Sequence, residues 1–335
     1  MKITDIQFEK MSFRFAQPMK VAFAEISGME TLFVKIQTDE GLSGLGEAAP
    51  LPFVTGDNLD SAWAVGKELR DALYHGCGAI KCAIDMACYD IASKAAGMPL
   101  YRYLGGETGA VHSDVTIGIG TPDEMAEKAL EWIEKGFTIL KIKLGEDIET
   151  DLARMEAVRR AAGPSISLRI DANQGWSIKD SLRIIPELEG LGVGLIEQPV
   201  AAWDYEGLKE IRQAVRLPIA ADESCHSPMD AARLASMRAV DFINIKLMKC
   251  GGIYNAIKIN AVAEASGISC MIGCMGESAL ANVAGMHVAA ALDNIKEVDL
   301  DSVYILSDKR AHGGFDHEGG KAVLWSTPGI GVSLD

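Results

Sequence analysis

Six side chains able to bind a cation or move a proton recur at a nearly even interval through the middle of this chain: Lys141, Lys143, Asp171, Glu197, Asp222 and Lys246. Asp171, Glu197 and Asp222 offer oxygen alone, the hard donor set that an octahedral divalent ion such as Mg²⁺ prefers. One acid of this kind is commonly half of a surface ion pair, whereas three at matched positions of successive strands are read as a single metal site. The lysines flank them along the chain. In a strand Lys141 and Lys143 share a face while Ile142 turns to the other, so both ammonium groups can enter one site. A free lysine titrates near ~10.4 and is a poor base at neutrality, whereas a catalytic one sits at about 7–8. Cationic neighbours lower it and carboxylates raise it, a balance the sequence leaves open.

These groups fall near the C-terminal ends of β-rich runs: SDVTIGI, FTILKIKL, ISLRIDAN, VGLIEQPV, LPIAADES, DFINIKLM, ISCMIGCM and KEVDLDSV. Taking Thr116, Lys143, Asp171, Glu197, Asp222, Lys246, Gly273 and Asp299 as reference points, successive intervals are 24 to 28 residues. The intervening segments read as helices, the first capped by Thr121 or Asp123 and carrying Met125, Ala129 and Ile133 on one face. Even βα units favour a closed barrel over an open doubly wound sheet, and a barrel gathers its strand ends at one mouth. The first hundred or so residues differ. They hold strand-like runs, a Gly41–Gly44 turn and helices around Ser61–Leu73 and Ala79–Ala96, an α+β unit that ends within Pro99–Gly109. No helix matches the eighth strand, and the Gly-rich tail is expected to pack back on the first unit.

A length of 335 residues suits a barrel of about 250 residues with a smaller attached domain. Forty-seven acidic against 32 basic residues, a net charge of −15, disfavours binding to nucleic acid or anionic membrane. The seven cysteines form no CxxC pair and MKITDIQF is too polar for a leader, so a cytoplasmic location with reduced thiols is expected. No stretch approaches the roughly 18 apolar residues of a membrane span. A homo-oligomer is left open.

The motifs KIK (Lys141–Lys143), DANQGW (from Asp171), EQP (from Glu197), ADES (from Ala221) and KLMKCGG (from Lys246), with GLSGLGEAAP before them, resemble the muconate-lactonizing subgroup of the enolase superfamily. The resemblance implies a (β/α)7β modified TIM barrel over residues 109–305, an N-terminal α+β capping domain over 1–108, and a C-terminal segment, 306–335, packing back on the cap. It implies one Mg²⁺ held by Asp171, Glu197 and Asp222, with Asn173 supporting that set. Lys143 and Lys246 would be the acid/base pair, and Lys141 would hold the substrate carboxylate. Cap loops around Phe23–Glu25 and Val54–Asp57 would close over the substrate.

Asp299 and Asp301 resemble the signature of dipeptide epimerases, in which two acids receive the α-ammonium group. Two strand-end carboxylates on one face can orient a cation, which an acylated substrate lacks. Thr116, Cys274 and Met275 are expected to line the same pocket. Where relatives acting on Ala-Glu commonly carry an arginine, this chain places Ala24, so an L-Ala-X dipeptide is expected with X apolar against Phe23 and Phe53, or acidic if Lys20 reaches in. An Ala-containing dipeptide suggests cell-wall peptide metabolism. N-Acylamino acid racemase, o-succinylbenzoate synthase and muconate cycloisomerase share the lysine framework, and Asp299 and Asp301 argue against them. Mandelate-like chemistry is disfavoured because MIGCMGES has no histidine. A catalytically silent metal-binding barrel would not need a base on each face. Cys225 and Cys274 read as buried thiols, and Lys249 as solvated.

Overall fold

Long alternating runs at the N-terminus pair as an antiparallel sheet in the computed structural model, which describes residues 1–67, 77–307 and 309–335. Strands β1 (Ile3–Val21), β2 (Ala24–Thr38) and β3 (Ser43–Ala48) lie side by side in chain order. Ala22 and Phe23 turn β1 into β2, with Val21 opposite Ala24. Between Arg14, opposite Gly28, and Met19, opposite Ile26, the four residues Phe15 to Pro18 face Ser27 alone. Such a bulge bends its strand and re-aims the side chains around it, and it tolerates Pro18, which has no N–H for the ladder.

The helix Gly78–Ala95 packs across this sheet with Ala83 and Ala87 turned toward it. Glycine is required beneath them. A Cβ on Gly46 would stand 1.8 Å from the Ala83 carbonyl oxygen, and one on Gly44 2.1 Å from that of Ala87. The helix expected over Ser61–Leu73 runs from Leu59 to Lys67, its remainder lying outside the described residues.

Eight parallel strands follow: β5 (Val115–Ile117), β6 (Ile139–Lys143), β7 (Ser167–Asp171), β8 (Val193–Glu197), β9 (Ile219–Ala221), β10 (Phe242–Lys246), β11 (Ser269–Gly273) and β12 (Ile295–Asp299), each paired with its neighbours in sequence. Closure comes from a parallel bridge between Ser113 and Val298 and the Asp114 N–H donating to the Val298 carbonyl at 3.0 Å. The fold is thus a capped (β/α) barrel. Strand register keeps the ends level, with Lys143 opposite Asp171, Asp171 opposite Glu197, and Lys246 opposite Gly273. Inside it, Leu195, Ala220 and Met271 form an apolar plug separate from the main core.

The helices start where short polar side chains can accept their free N–H groups. Thr121 and Glu124 form a capping box on Pro122–Glu134, and Asp147, Ser177 and Ser227 cap later helices. Val111 lies before the barrel, in a strand β4 (Ala110–His112) that pairs with the tail rather than with β5. After β12 comes only the one-turn helix Ser302–Ile305, then β13 (Ala311–Gly313), β14 (Phe315–Glu318), β15 (Lys321–Leu324) and β16 (Val332–Leu334). β14, β15 and β4 form one small sheet and β13 with β16 another. The tail touches the cap where Asp90 accepts the Ile330 N–H at 2.8 Å.

Gly46→Ala should cost about 1–3 kcal/mol, the usual penalty of overpacking a filled contact. A lowered urea midpoint at unchanged slope is the expected result. An unshifted midpoint would show that the helix can withdraw freely from the sheet.

Candidate active site at the barrel mouth

Because the strand ends are level, Asp171, Glu197 and Asp222 converge: one oxygen from each lies within 4.8 Å of the others, and all three side chains are buried. Lys141 occupies the middle of this acidic ground, its Nζ 2.7 Å from Asp299, 2.8 Å from Glu197 and 3.1 Å from Asp171. Lys143 donates to Asp171 at 2.7 Å and Lys246 to Asp222 at 2.7 Å. Strands β6 and β10 stand four places apart in the ring of eight, so Lys143 and Lys246 approach from opposite sides.

The residues between these groups hold them in place. Asn244 donates to Glu197 at 2.5 Å. The Asn173 N–H donates to Asp171 at 2.9 Å and its side-chain amide to Glu223 at 3.3 Å. Gln198 accepts the N–H groups of Asp222 and Ser224 at 2.9 and 3.1 Å, which fixes the turn after β9. Asp301 accepts the Thr116 N–H at 2.7 Å, and the Cys274 thiol donates to its other oxygen at 3.5 Å.

Lys249 is not solvated. The one-turn helix Leu247–Cys250 carries it back beneath the mouth, fully buried, where it donates to the Asp222 carboxylate at 2.5 Å and also to the Asp222 and Asn244 carbonyls. Its place three residues after Lys246, across a strand end, was the available signal. Glu223 is a second group that sequence reasoning passed over; it is buried, lines the cleft and has one oxygen without a hydrogen-bond partner.

The charges perturb one another strongly. Burial pushes Asp171 up, but Lys143 and Lys141 outweigh it and bring the carboxyl to about 2. Asp222 is likewise lowered, burial being overcome by Lys246 and Lys249. Glu197 is raised by burial and by the charge of Asp171, and Glu223 is raised to about 7 by burial and by Asp222. Burial alone would lower Lys141 and Lys246; Asp299 and Glu197 raise the first, and Asp222 the second. Asp171, Glu197, Asp222, Glu223, Asp299 and Asp301 face Lys141, Lys143, Lys246 and Lys249, which leaves two negative charges uncompensated when all are ionised. That residue of charge and the all-oxygen donor set fit a divalent cation.

A cleft enclosing ≈ 680 Å³ of empty space, part of it open to solvent, lies between barrel and cap. Thr116, Lys141, Lys143, Asn173, Asp222, Lys246, Cys274, Met275, Asp299 and Asp301 border it, with Asp171 and Glu197 in the carboxylate group beneath. Among the described residues the cap side of the cleft is apolar throughout. Phe23 and Phe53 meet edge to face at 4.9 Å and remain 44% and 45% exposed. Ala24 is not among the lining residues; Phe23, Ile26 and Val54 are. Lys20 does not reach in either, since strand alternation turns Met19 and Val21 to the cleft and leaves Lys20 paired with Glu146 at 2.8 Å. Burial raises both Cys225, to about 12, and Cys274, which leaves neither as a ready thiolate.

A capped parallel barrel whose mouth combines three converging carboxylates with lysines on opposite sides defines a class of metal-assisted proton-transfer enzymes. Residues 124–335 match the model of the family described as Enolase C-terminal domain-like. The chain is 40% identical to the L-Ala-D/L-Glu epimerase of Clostridium acetobutylicum over 99% of each sequence. It superposes with a TM-score of 0.97 on the substrate-liganded L-Ala-D/L-Glu epimerase of Bacillus subtilis, at 38% identity and 99% coverage of both chains. With the dipeptide epimerase of Enterococcus faecalis bound to Mg and L-Leu-L-Tyr, the TM-score is 0.96 at 40% identity, covering 99% of this chain and 100% of that one. The chain belongs to the enolase superfamily and lies among its dipeptide epimerases.

Magnesium should therefore stabilise the fold, by about 2.7 kcal/mol at a hundredfold excess over Kd. Thermal unfolding with Mg²⁺ and with EDTA should separate in the wild type and coincide in Glu197→Gln. A Glu197→Gln protein still stabilised as strongly would remove Glu197 from the metal site.

Proposed function

We propose that this chain is a Mg²⁺-dependent dipeptide epimerase that inverts the α-carbon of the second residue in dipeptides whose second side chain is apolar. The observation carrying this reading is the placement of Lys143 and Lys246 on opposite sides of a carboxylate group that ends, at one edge of the cleft, in Asp299 and Asp301.

Asp299 and Asp301 receive the α-ammonium group, with Thr116 beside them. The peptide then lies across the mouth with its carboxylate toward Lys141. Asp171, Glu197 and Asp222 would hold Mg²⁺, which would supply positive charge to that carboxylate and weaken the hold of these acids on the lysines. One lysine, neutral, takes the α-proton from its face and becomes ammonium, while the electron pair left on carbon spreads into the carboxylate. The opposite lysine, an ammonium group, returns a proton to the other face and becomes neutral. Configuration inverts, and the reverse reaction exchanges the two roles. Asn173, Asn244, Gln198 and Lys249 hold the acids still, which lets the charge be met without rearrangement.

An N-acylated amino acid offers no cation to Asp299 and Asp301. The apolar cap decides the second residue. A carboxylate side chain would lie against Phe23, Phe53, Ile26 and Val54 with no partner among the described residues of the cap, an unfavourable burial. We divide the chain into a cap, 1–108, a catalytic barrel, 109–305, and a returning segment, 306–335. The free thiols suit a cytoplasmic enzyme.

Deuterium exchange followed by NMR in D₂O tests both halves of the proposal. Lys143→Ala and Lys246→Ala should each lose about 10²–10⁴-fold in epimerisation, with residual exchange in each confined to one configuration. Near-normal turnover in either would remove that lysine from the reaction. L-Ala-L-Leu should exceed L-Ala-L-Glu in kcat/KM by at least about tenfold, the worth of burying one apolar side chain, and Phe23→Arg should narrow that gap. A wild-type preference for Glu would overturn the apolar assignment.

A further inference from the structure

A buried acid of the cap lies outside the mouth with no ion-pair partner among the described residues. Glu47, near the end of β3 in the cap, is 0% exposed. Its carboxylate accepts the Ser278 N–H at 3.0 Å, the Ser278 hydroxyl at 2.5 Å and the Ala281 N–H at 3.3 Å. These donors start the 13-residue helix Ala279–Ala291 of the barrel. The positive end of that helix is the counter-charge, for Glu277 is the charged group facing Glu47 and it repels. Burial accordingly pushes the Glu47 carboxyl up to about 7. An apolar residue would fill the contact at less cost, so the carboxylate is placed for what it holds.

What it holds is a wall of the cleft. Ser278 ends the turn that begins at Cys274, and Cys274, Met275 and Gly276 border the cleft. Glu277 accepts the N–H groups of Met275 and Gly276 at 2.6 and 2.9 Å, closing the turn on itself. The Glu277 carbonyl accepts the hydroxyl of Ser302 at 2.8 Å, and Ser302 follows Asp301 directly. Displacing Ser278 therefore displaces the turn and the edge that carries Asp301. On the cap side, Glu47 lies opposite Phe33 of β2, the strand that brings Ile26 to the cleft.

We propose that Glu47 is a positioning residue of the reaction: it clasps the cap to the Cys274–Ser278 turn and so sets the span between the apolar cap and the Asp299–Asp301 pair. This role rests on the assignment of that pair to the ammonium group. A dipeptide must reach both ends at once, so slack in the clasp weakens binding before it slows proton transfer, because Lys143 and Lys246 are set by ion pairs to Asp171 and Asp222 that Glu47 does not touch.

Two measurements on Glu47→Ala and Glu47→Gln decide it. The first is hydrogen exchange over residues 274–282, which needs no substrate. The second is the separation of KM from kcat with L-Ala-L-Leu. Glu47→Ala should speed exchange in that segment and raise KM about tenfold with kcat nearly kept. Glu47→Gln, whose amide oxygen still accepts a backbone N–H, should recover most of both. Unchanged exchange in Glu47→Ala would show that there is no clasp. Faster exchange with KM and kcat both unaltered, or with kcat lost in step with KM and not recovered by Glu47→Gln, would reduce Glu47 to a structural contact. A wild type inactive on every dipeptide would overturn the substrate assignment and the positioning role with it, while the exchange measurement would still decide the clasp.

Discussion

Nearly every feature of this molecule answers to one constraint, the confinement of ten charged side chains in a buried barrel mouth. Ionised groups leave water only when each finds a partner in good geometry. Here Lys141 serves three carboxylates and Asp222 is served by two lysines, so these two groups tie the others together. The neutral residues Asn173, Asn244 and Gln198 take up oxygens and N–H groups that would otherwise lie unpaired. Such a lattice is preorganised, which is what a site needs when charge must appear on a substrate without waiting for the surroundings to turn.

The lattice requires strand ends at one height, and that requirement is what made the site legible. Intervals of 24 to 28 residues reflect one strand, one helix and two short connections repeated around a ring, so a residue that ends one strand predicts its counterparts in the others. Of the eight reference positions, Lys143, Asp171, Glu197, Lys246, Gly273 and Asp299 end their strands, while Thr116 and Asp222 lie one residue from the end. Lys249 escaped this reasoning because it sits past the periodic part, on a single helical turn whose direction no periodicity reveals. Glu223 escaped because its neighbour Asp222 accounts for the motif, and the burial that raises it is a tertiary fact.

The cap was less legible, for a physical reason. A two-period strand pattern tells which residues share a face only while the register is unbroken. The bulge at Phe15–Pro18 breaks it, so the faces of Met19, Lys20 and Val21 cannot be counted forward from the start of β1. That is why Lys20 could be placed toward the ligand from sequence and yet stands outside with Glu146. The glycines of GLSGLGEAAP, by contrast, speak directly. Gly44 and Gly46 permit a helix at a distance no side chain would allow, and Glu47, the next residue, turns from that contact to the barrel.

The missing eighth helix has a consequence for the same seam. A full helix after β12 would carry the chain down the outside of the barrel, away from the mouth. Instead the chain makes one turn at Ser302–Ile305 and stays at the top, where Leu306 bridges to Phe15 in the bulge and Ser307 donates to the Arg14 carbonyl. Asp301 is therefore five residues from a direct contact with the cap. Glu47 ties the cap to the turn after β11, and Leu306 ties it to the chain after β12. Two adjacent strands thus meet the cap within a few residues of their ends, beside Asp299 and Asp301, whereas Lys143 and Lys246 are held by ion pairs within the barrel, to Asp171 and Asp222. On the proposed roles, the edge that receives the ammonium group is bound to the cap and the proton-transferring lysines are bound to the barrel, so specificity can vary through the cap with the proton-transfer frame left in place.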